Sequence, residues 1–321
     1  MSLASLATNC ESPRQVHVAS FGAQSSTIAV SQGSTGRLCF LERHDAEVAP
    51  VNELEVPRGV ALVSSIATSD GDGRFVISLG NGNVKLIAKD DVAHRNNVPF
   101  VMLPYVLRDD VPWVATCRGG SHQTLTVSRQ DGCVALVRVD SDRGITTSSK
   151  AKVENAASQP LSQLHPATGD ENTYFARLHH TVLSYDSRGP VWKASSIWRW
   201  DPFDPLVGTV VEGVAILAAT EGGALVLWDA RKPGLPTAQL SRPQKLSYSA
   251  VVSLGPAFIT SSFDGQLTSW RRGNDVTQGF PLRSTQYQLP NSLDTPIVCL
   301  GSDGSTAAAV TERGVVYATS H

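Results

Sequence analysis

The sequence has little charge. Asp, Glu, Lys and Arg make up 17% of its 321 residues, against about 25% in an average soluble domain. A pI of 6.4 argues against a basic nucleic-acid-binding protein. A hydrophobic content of 41% excludes a disordered acidic chain. A coiled coil needs abundant Glu, Lys and Leu, and this composition lacks them.

Paired cysteines and long apolar runs are also missing. The five cysteines are odd in number and widely spaced, without a CxxC pair, which argues against a disulfide framework and a structural zinc site. The longest apolar run, Gly213–Ala219, is too short to span a bilayer. The first basic residue is Arg14, so the start lacks the positive region of a secretory signal. We therefore expect a soluble protein of the cytoplasm or nucleus, without membrane insertion.

What the sequence does contain is a repeated hairpin. A short β-rich run, a tight Gly, Asp or Asn turn and a second β-rich run recur along the chain, and steps such as Asp131-Gly132 suit two-residue hairpin turns. One residue per turn gives positions 36, 82, 132, 180, 223, 265 and 314, with gaps of 46, 50, 48, 43, 42 and 49 residues. A period in the forties with a hairpin in each unit is typical of a β-propeller.

These units predict an all-β, seven-bladed β-propeller that occupies residues 1–321 as a single domain. The last blade lacks its outer strand at the carboxyl-terminal end. We expect residues 1–11 to supply that strand through Leu3–Asn9, because ring closure removes an open sheet edge. An outer strand is also predicted for the fourth blade at Val191–Ser195.

The fifth and sixth units resemble WD40 repeats. Leu225–Arg231 ends a strand with Trp228-Asp229, and Ser261–Trp270 carries Asp264 and Trp270 with Arg271 where Asp is usual. We interpret Trp228, Asp229, Asp264 and Trp270 as scaffold residues: the indoles pack between blades and the carboxylates order turns. The other units lack the Trp-Asp pair, so the family's His–Ser–Trp–Asp hydrogen-bond network is incomplete in most blades.

The last three units resemble the small WD40 nucleoporins of the nuclear pore's outer-ring Y complex. The resemblance is carried by Gly222–Arg231 with Leu235-Pro236, Ser262–Trp270, and Asn291–Asp294 with Cys299–Asp303. Ser34–Leu41 is a weaker match. It implies a non-enzymatic scaffold at the nuclear pore that docks onto an α-solenoid nucleoporin and serves pore assembly, mRNA transport and protein transport. It implies no direct contact with nucleic acid.

Two other functions stay open. Blades of similar quality occur in the peroxisomal receptor for amino-terminal targeting signals and in the diphthine methylesterase, a WD40-type hydrolase. The hydrolase would need Asp, His and Ser side chains that converge at the central channel. We find no nucleophile elbow, P-loop or dinucleotide-binding motif, so we assign no catalytic, cofactor-binding or metal-binding residue.

Two stretches are candidates for partner binding. Ile197–Pro205 contains Trp198, Arg199, Trp200 and Phe203, and Trp and Arg are enriched among binding hot spots. We place this stretch in a connection between blades, where the alternative is that one or both indoles fill the space between blades four and five. The second stretch, Asp229–Pro243, includes Arg231, Lys232 and three prolines. It is either a stiff basic connector that meets an acidic partner or a solvated loop.

Overall fold

The computed structural model describes residues 3–8, 13–20, 26–32, 37–44, 47–55, 60–67, 73–79, 84–88, 101–102, 113–118, 124–129, 133–140, 144–153, 163–167, 170–241, 247–271, 284–287 and 295–320. All regular secondary structure in these residues is β-strand. No helix long and apolar enough to cross a membrane occurs in the part of the chain that is described.

The strands alternate with short connections. The first fifteen are β1 (Leu3–Ala7), β2 (Pro13–Ser20), β3 (Ser26–Gln32), β4 (Arg37–His44), β5 (Glu47–Glu55), β6 (Val60–Ala67), β7 (Gly73–Leu79), β8 (Val84–Ala88), β9 (Val101–Met102), β10 (Trp113–Arg118), β11 (Thr124–Arg129), β12 (Cys133–Asp140), β13 (Gly144–Val153), β14 (Gln163–Ala167) and β15 (Asp170–Leu178). The others are β16 (Thr181–Asp186), β17 (Val191–Trp192), β18 (Ala194–Arg199), β19 (Leu206–Glu212), β20 (Ala215–Thr220), β21 (Ala224–Asp229), β22 (Ala238–Ser241), β23 (Tyr248–Leu254), β24 (Ala257–Ser262), β25 (Leu267–Arg271), β26 (Ser284–Tyr287), β27 (Ile297–Ser302), β28 (Thr306–Thr311) and β29 (Val315–Ser320).

Among the described residues these strands form seven sheets, which we call blades one to seven. In strand order they are β2-β3-β4-β5, β6-β7-β8-β9, β10-β11-β12-β13-β17, β14-β15-β16-β18, β19-β20-β21-β22, β23-β24-β25-β26 and β27-β28-β29-β1. The first strands of successive blades contact one another, and β27 of blade seven contacts β2 of blade one. The sheets therefore close into a ring, which confirms the all-β propeller expected from the repeat.

Glycine fixes the turn between the second and third strands of three successive blades. Gly223, Gly265 and Gly314 have φ values of 83°, 81° and 78°. Each amide donates to the carbonyl oxygen three residues earlier, at 3.2, 3.1 and 2.9 Å. Because a side chain strongly disfavours positive φ, glycine is the residue that lets these strands reverse so tightly.

Closure depends on the amino-terminal strand. β1 pairs antiparallel with β29, with Leu3 opposite Thr319 and Ala7 opposite Val315. Ala4 is buried in the apolar cluster between blades seven and one, and Leu6 packs against that cluster. The predicted strand is confirmed, although it ends at Ala7, and its last two predicted residues are Thr8, outside the strand, and residue 9, outside the described residues.

The outer strand predicted for blade four is wrong in position. Val191 and Trp192 pair in parallel with Lys152 and Val153 of blade three, whereas Ala194–Arg199 pairs with β16 as the outer strand of blade four. Trp192 is buried and stacks on Tyr174 with ring centroids 5.2 Å apart. Burial of the Trp192 indole between blades three and four explains why Val191 and Trp192 pair with blade three rather than with blade four.

The WD residues lie within the scaffold. Trp228, Asp229 and Trp270 are buried, and Asp264 accepts a hydrogen bond from Ser262 at the blade-six turn. The Trp270 indole donates to Thr260 Oγ1 at 2.8 Å, but that of Trp228 has no partner among the described residues. In blade six Thr260 lies two residues after Phe258, the residue paired with Trp270. In blade five the equivalent position, two residues after the partner of Trp228, is Ala218. Blade five therefore lacks the hydroxyl that satisfies the indole in blade six.

Candidate functional site

Trp198, the first of the two candidate tryptophans, is a core residue. Its side chain is 1% exposed. Its ring lies against Phe175 at a centroid distance of 5.5 Å, and its indole nitrogen donates to the carbonyl oxygen of Asp229 at 3.1 Å. The expectation that Trp198 contacts a partner is wrong in this structure, because the indole fills the space between blades four and five. Its segment, Ala194–Arg199, is also strand rather than connection.

The connection that follows, residues 200–205, is fixed by backbone hydrogen bonds to the turns beside it. Trp200 N donates to His180 O at 3.1 Å and Leu206 N donates to His179 O at 2.7 Å. On the other side Glu221 N donates to Pro205 O at 2.9 Å. The connection is therefore attached to the turns of both blade four and blade five.

Asp204 ties the same connection together from within. Its Oδ2 accepts a hydrogen bond from the Trp200 indole at 3.1 Å, and its Oδ1 accepts one from the Gly222 amide at 2.6 Å. A Cβ at Gly222 would lie 2.8 Å from Asp204 Oδ1, so a side chain at this position would displace the Asp204 carboxylate. The role of Asp204 was not predicted from the sequence, in which the only signal is two Asp-Pro steps and a Gly-Gly turn.

This connection presents one aromatic side chain to solvent. Phe203 N donates to Asp201 Oδ1 at 2.9 Å, and Asp204 N donates to Asp201 O at 3.2 Å, which closes a tight turn. Phe203 lies at the tip of this turn and is 93% exposed. A large apolar ring is thus held in place by polar contacts to its backbone, with almost none of its own surface buried.

The second candidate stretch meets the first. Gly234 N donates to Ile197 O and Gly234 O accepts from Arg199 N, both at 3.0 Å. Leu235, next in sequence, is 81% exposed, and Arg231 and Lys232 are exposed as well. We call the surface of Arg199–Pro205 and Arg231–Pro236 the 4/5 seam. Two stretches about thirty residues apart in sequence therefore form one surface with both apolar and basic side chains.

A charged pair shapes the 4/5 seam. Arg231 Nε and Nη2 donate to Asp229 Oδ1 and Oδ2 at 2.9 and 2.8 Å. These bonds lower the pKa of Asp229 to about 2, while burial opposes them. The same contact raises the pKa of Arg231. Arg231 thus keeps its charge at the surface while it braces the turn.

The same Asp-x-Arg arrangement recurs in blade four, at a position that the Trp-Asp motif does not mark. Arg188 Nε donates to both carboxylate oxygens of Asp186, at 2.9 and 3.0 Å, and these bonds lower the pKa of Asp186 to about 2. The Trp-Asp pair that marks a WD40 repeat is absent from this strand, because Tyr185 precedes Asp186. The two-residue spacing from Asp to Arg is the signal that would have found it.

Polar side chains also gather between the first strands of blades four and five. His165 Nε2 lies 3.1 Å from Thr209 Oγ1, and Gln163 Oε1 accepts from Thr209 N at 2.7 Å and from its hydroxyl at 2.9 Å. Burial and then Arg177 lower the pKa of His165 to about 4. The imidazole is therefore neutral at physiological pH, and Thr209 itself is buried.

The His179-His180 turn has a structural role. Its two rings lie 4.9 Å apart, and both backbone carbonyls hold the connection of the 4/5 seam. Within the described ranges, no three His, Cys, Asp or Glu side chains come close enough together to hold a metal ion.

Known proteins resemble this chain in structure but not in sequence. No protein-family model matches the chain, and no curated protein matches its sequence. The C-terminal WD40 domain of Sif2 superposes with a TM-score of 0.67 at 12% identity, over 100% of this chain and 99% of that one. Raptor from Chaetomium thermophilum gives 0.71 at 13% identity, over 99% of this chain and 28% of that one. A chain of the mitotic checkpoint complex gives 0.67 at 11%, over 99% and 90%.

These likenesses establish the fold. The protein is an all-β propeller of the WD40 type, and the superposition on the WD40 domain of Sif2 extends over the whole of this chain. The identities are too low to carry a function or a partner from any of these proteins to this one.

Proposed function

We propose that this protein is a non-enzymatic scaffold that binds other proteins through the 4/5 seam. The observation that carries the proposal is Phe203, an aromatic residue 93% exposed on a connection fixed to two blades. An aromatic side chain that is already held in position loses little conformational entropy when a partner covers it. Burial of one phenylalanine contributes about 1.5–3 kcal/mol to binding.

Leu235 and the basic residues extend the contact. Arg199 and Phe203 are four residues apart, so their Cα atoms lie within about 14 Å of each other. Gly234 is hydrogen-bonded to Arg199, which places Leu235 beside the same connection. Two apolar anchors bordered by Arg199, Arg231 and Lys232 suit a partner with an apolar face and acidic flanks.

The polar cluster between the first strands of blades four and five supports a non-enzymatic role. A hydrolase of the diphthine methylesterase kind needs an acid to orient its histidine and an accessible hydroxyl. Among the described residues, the hydrogen-bonded partner of His165 is Thr209, which is buried and is linked in turn to the Gln163 amide rather than to a carboxylate. That chemistry favours a packing role for His165.

We further propose that the assembly is the Y complex of the nuclear pore, with an α-solenoid nucleoporin as partner and a location at the pore in the nucleus. The support is the resemblance of Gly222–Arg231, Ser262–Trp270 and Cys299–Asp303 to the small WD40 nucleoporins. Part of the first segment, Arg231, belongs to the 4/5 seam. A second support is that one propeller of the same fold is a chain of a multi-protein assembly, the mitotic checkpoint complex.

Affinity purification from cells, followed by mass spectrometry, tests both levels. We expect the wild-type protein to recover Y-complex nucleoporins. Phe203→Ala and Leu235→Ala should each lower that recovery at least tenfold, since each removes about 1.5 kcal/mol or more of interface burial. Phe263→Ala is the matched control, because Phe263 is 49% exposed on blade six, outside the seam.

The outcomes separate the hypotheses. Recovery of a different assembly, lowered in the same way by Phe203→Ala, would support the scaffold hypothesis and contradict the nucleoporin hypothesis. Recovery of peroxisomal cargo would support the targeting-signal receptor instead. Ester hydrolysis by the purified protein, lost on His165→Ala, would contradict the scaffold.

A further inference from the structure

A groove runs along the outside of the ring where blade seven meets blade one. Its volume is about 550 Å³. Its lining residues come from β1 and the connection after it and from the two outer strands of blade one: Leu6, Ala7, Thr8, Cys39, Phe40, Leu41, Pro50, Val51, Asn52 and Glu53. Leu6, Cys39 and Leu41 also belong to or pack on the apolar cluster between the blades. The groove thus continues the core out to the surface.

At two other junctions the corresponding outer strand is covered by the chain itself. The segment between the third and fourth strands of blade four lies in parallel on β13, with Val191 opposite Lys152 and Trp192 opposite Val153. The equivalent segment of blade five makes a parallel bridge from Gly234 to Trp198. At these two junctions the outer strand of a blade therefore accepts a parallel segment from the blade that follows.

In blade one the connection between the third and fourth strands is too short to pair with β1. Residues 187–193 join β16 to the outer strand of blade four, and residues 230–237 join β21 to β22, whereas only residues 45–46 lie between β4 and β5. β1 is the last strand of its sheet among the described residues. In the described part of the chain, therefore, no parallel segment pairs with this edge, although β5 of blade one lies close to β1.

We propose that this groove binds an extended segment of another protein, in parallel with β1, with an aromatic side chain inserted between blades seven and one. The internal precedent is Val191-Trp192-Lys193, in which Trp192 is 1% exposed. The volume of the groove suits one indole and its neighbours, and main-chain pairing supplies affinity as in other β-strand additions.

Charge further defines the ligand. Glu53 lines the groove and Glu55 lies two residues further along β5, both exposed. Arg37 Nη1 lies 3.4 Å from Glu53 Oε1, and Arg37 is also the cross-strand partner of Glu55. One positive charge therefore stands beside two negative charges, and the rim keeps a net negative charge. A basic residue after the aromatic one, as Lys193 follows Trp192, matches this acidic rim.

The backbone of β1 offers a specific test. Thr8 N donates inward to Gly314 O at 3.1 Å. Because successive amides of a strand point to opposite sides, the Ala7 amide points away from β29. Ala7→Pro removes that donor without removing a bond to β29, and proline is tolerated on an edge strand. Ala7→Val keeps the amide and is the matched control.

The probe is a fluorescent peptide with the sequence of residues 187–195, titrated into the full chain by fluorescence anisotropy. We expect saturable one-to-one binding, at least tenfold weaker binding of the same peptide with alanine for its tryptophan, and at least tenfold weaker binding to Ala7→Pro than to Ala7→Val. Glu53→Lys should weaken binding severalfold, whereas Glu221→Lys, an equal charge change on blade five, should not.

Several results would overturn the proposal. One is the absence of saturable binding, and another is binding that Ala7→Pro and Glu53→Lys both leave unchanged, which would place the peptide at the β13 junction instead. A dimer of this chain that the peptide dissociates would make a second copy the occupant. Phe203→Ala should leave peptide binding unchanged, so failure here and failure of the 4/5 seam are distinguishable.

Discussion

Removal of β1 should cost a large share of the stability of the propeller. The perturbation is deletion of residues 1–11, which takes away Ala4 and Leu6 from the cluster between blades seven and one. It also uncovers Val316 and Ala318, which lie opposite Leu6 and Ala4 and are fully buried. The deletion therefore exposes apolar surface on both sides of the junction.

The magnitude follows from these side chains. Four apolar side chains that lose about 1–1.5 kcal/mol of burial each give about 4–6 kcal/mol. The hydrogen bonds of β1 are worth about 1 kcal/mol each, and the entropy that the freed strand regains roughly offsets them. Against a typical total of about 5–15 kcal/mol, the loss is large. An unfolding entropy of about 2.1 cal/mol/K per residue converts it to a fall in Tm of roughly 6–9 °C.

Differential scanning calorimetry on the deletion and on a rearranged chain measures this effect. In the rearranged chain, residues 1–11 follow His321 instead of preceding residue 12. Leu3 lies opposite Thr319, so residues 320, 321, 1 and 2 would form a four-residue hairpin loop, a common length. We expect the rearranged chain to recover most of the lost Tm. An unchanged Tm in the deletion would refute the closure argument.

Three further predictions concern single side chains. Asp229→Asn should lower the free energy of unfolding by about 1–2 kcal/mol at pH 7. Because the folded-state pKa of Asp229 is about 2, below the usual 3.8, its contribution should be full above about pH 4 and vanish toward pH 2 in pH-dependent urea melts. Trp270→Phe should destabilise by about 1 kcal/mol more than Trp228→Phe in the same melts, since the first indole loses its bond to Thr260 and the second has none to lose; equal losses would contradict this. Gly301→Ala should lower the Tm measurably, because its Cβ would lie 2.5 Å from a carbonyl oxygen of blade one.

The period of the turns made the architecture predictable. Turn glycines recur because the hairpin needs positive φ, and burial on both faces makes the second and third strands apolar, as in Ala215–Thr220 and Ala224–Asp229. Outer strands have one exposed face and few such constraints. The position of Val191–Trp192 could not be predicted, because it depends on a contact with blade three rather than on its own sequence pattern.

The candidate site was predictable in part. Strand alternation puts Trp198 and Arg199 on opposite sides, so Ile-Trp-Arg-Trp could have been interpreted as strand with the indole inward. The exposure of Phe203 depends on the Asp201 turn and on the Gly222 amide that binds Asp204. Those contacts join residues of two blades, and no local pattern encodes them. That Phe203, Arg199, Arg231 and Lys232 contact a partner stays a prediction.

Hydrogen–deuterium exchange of the protein, alone and with the partner that it co-purifies, tests the central claim most directly. The account predicts slower exchange in residues 200–206 and 231–237 when the partner is bound, with no such change for Phe203→Ala at the same concentrations. Protection confined to other blades, with the 4/5 seam exchanging as fast as in the free protein, would contradict it.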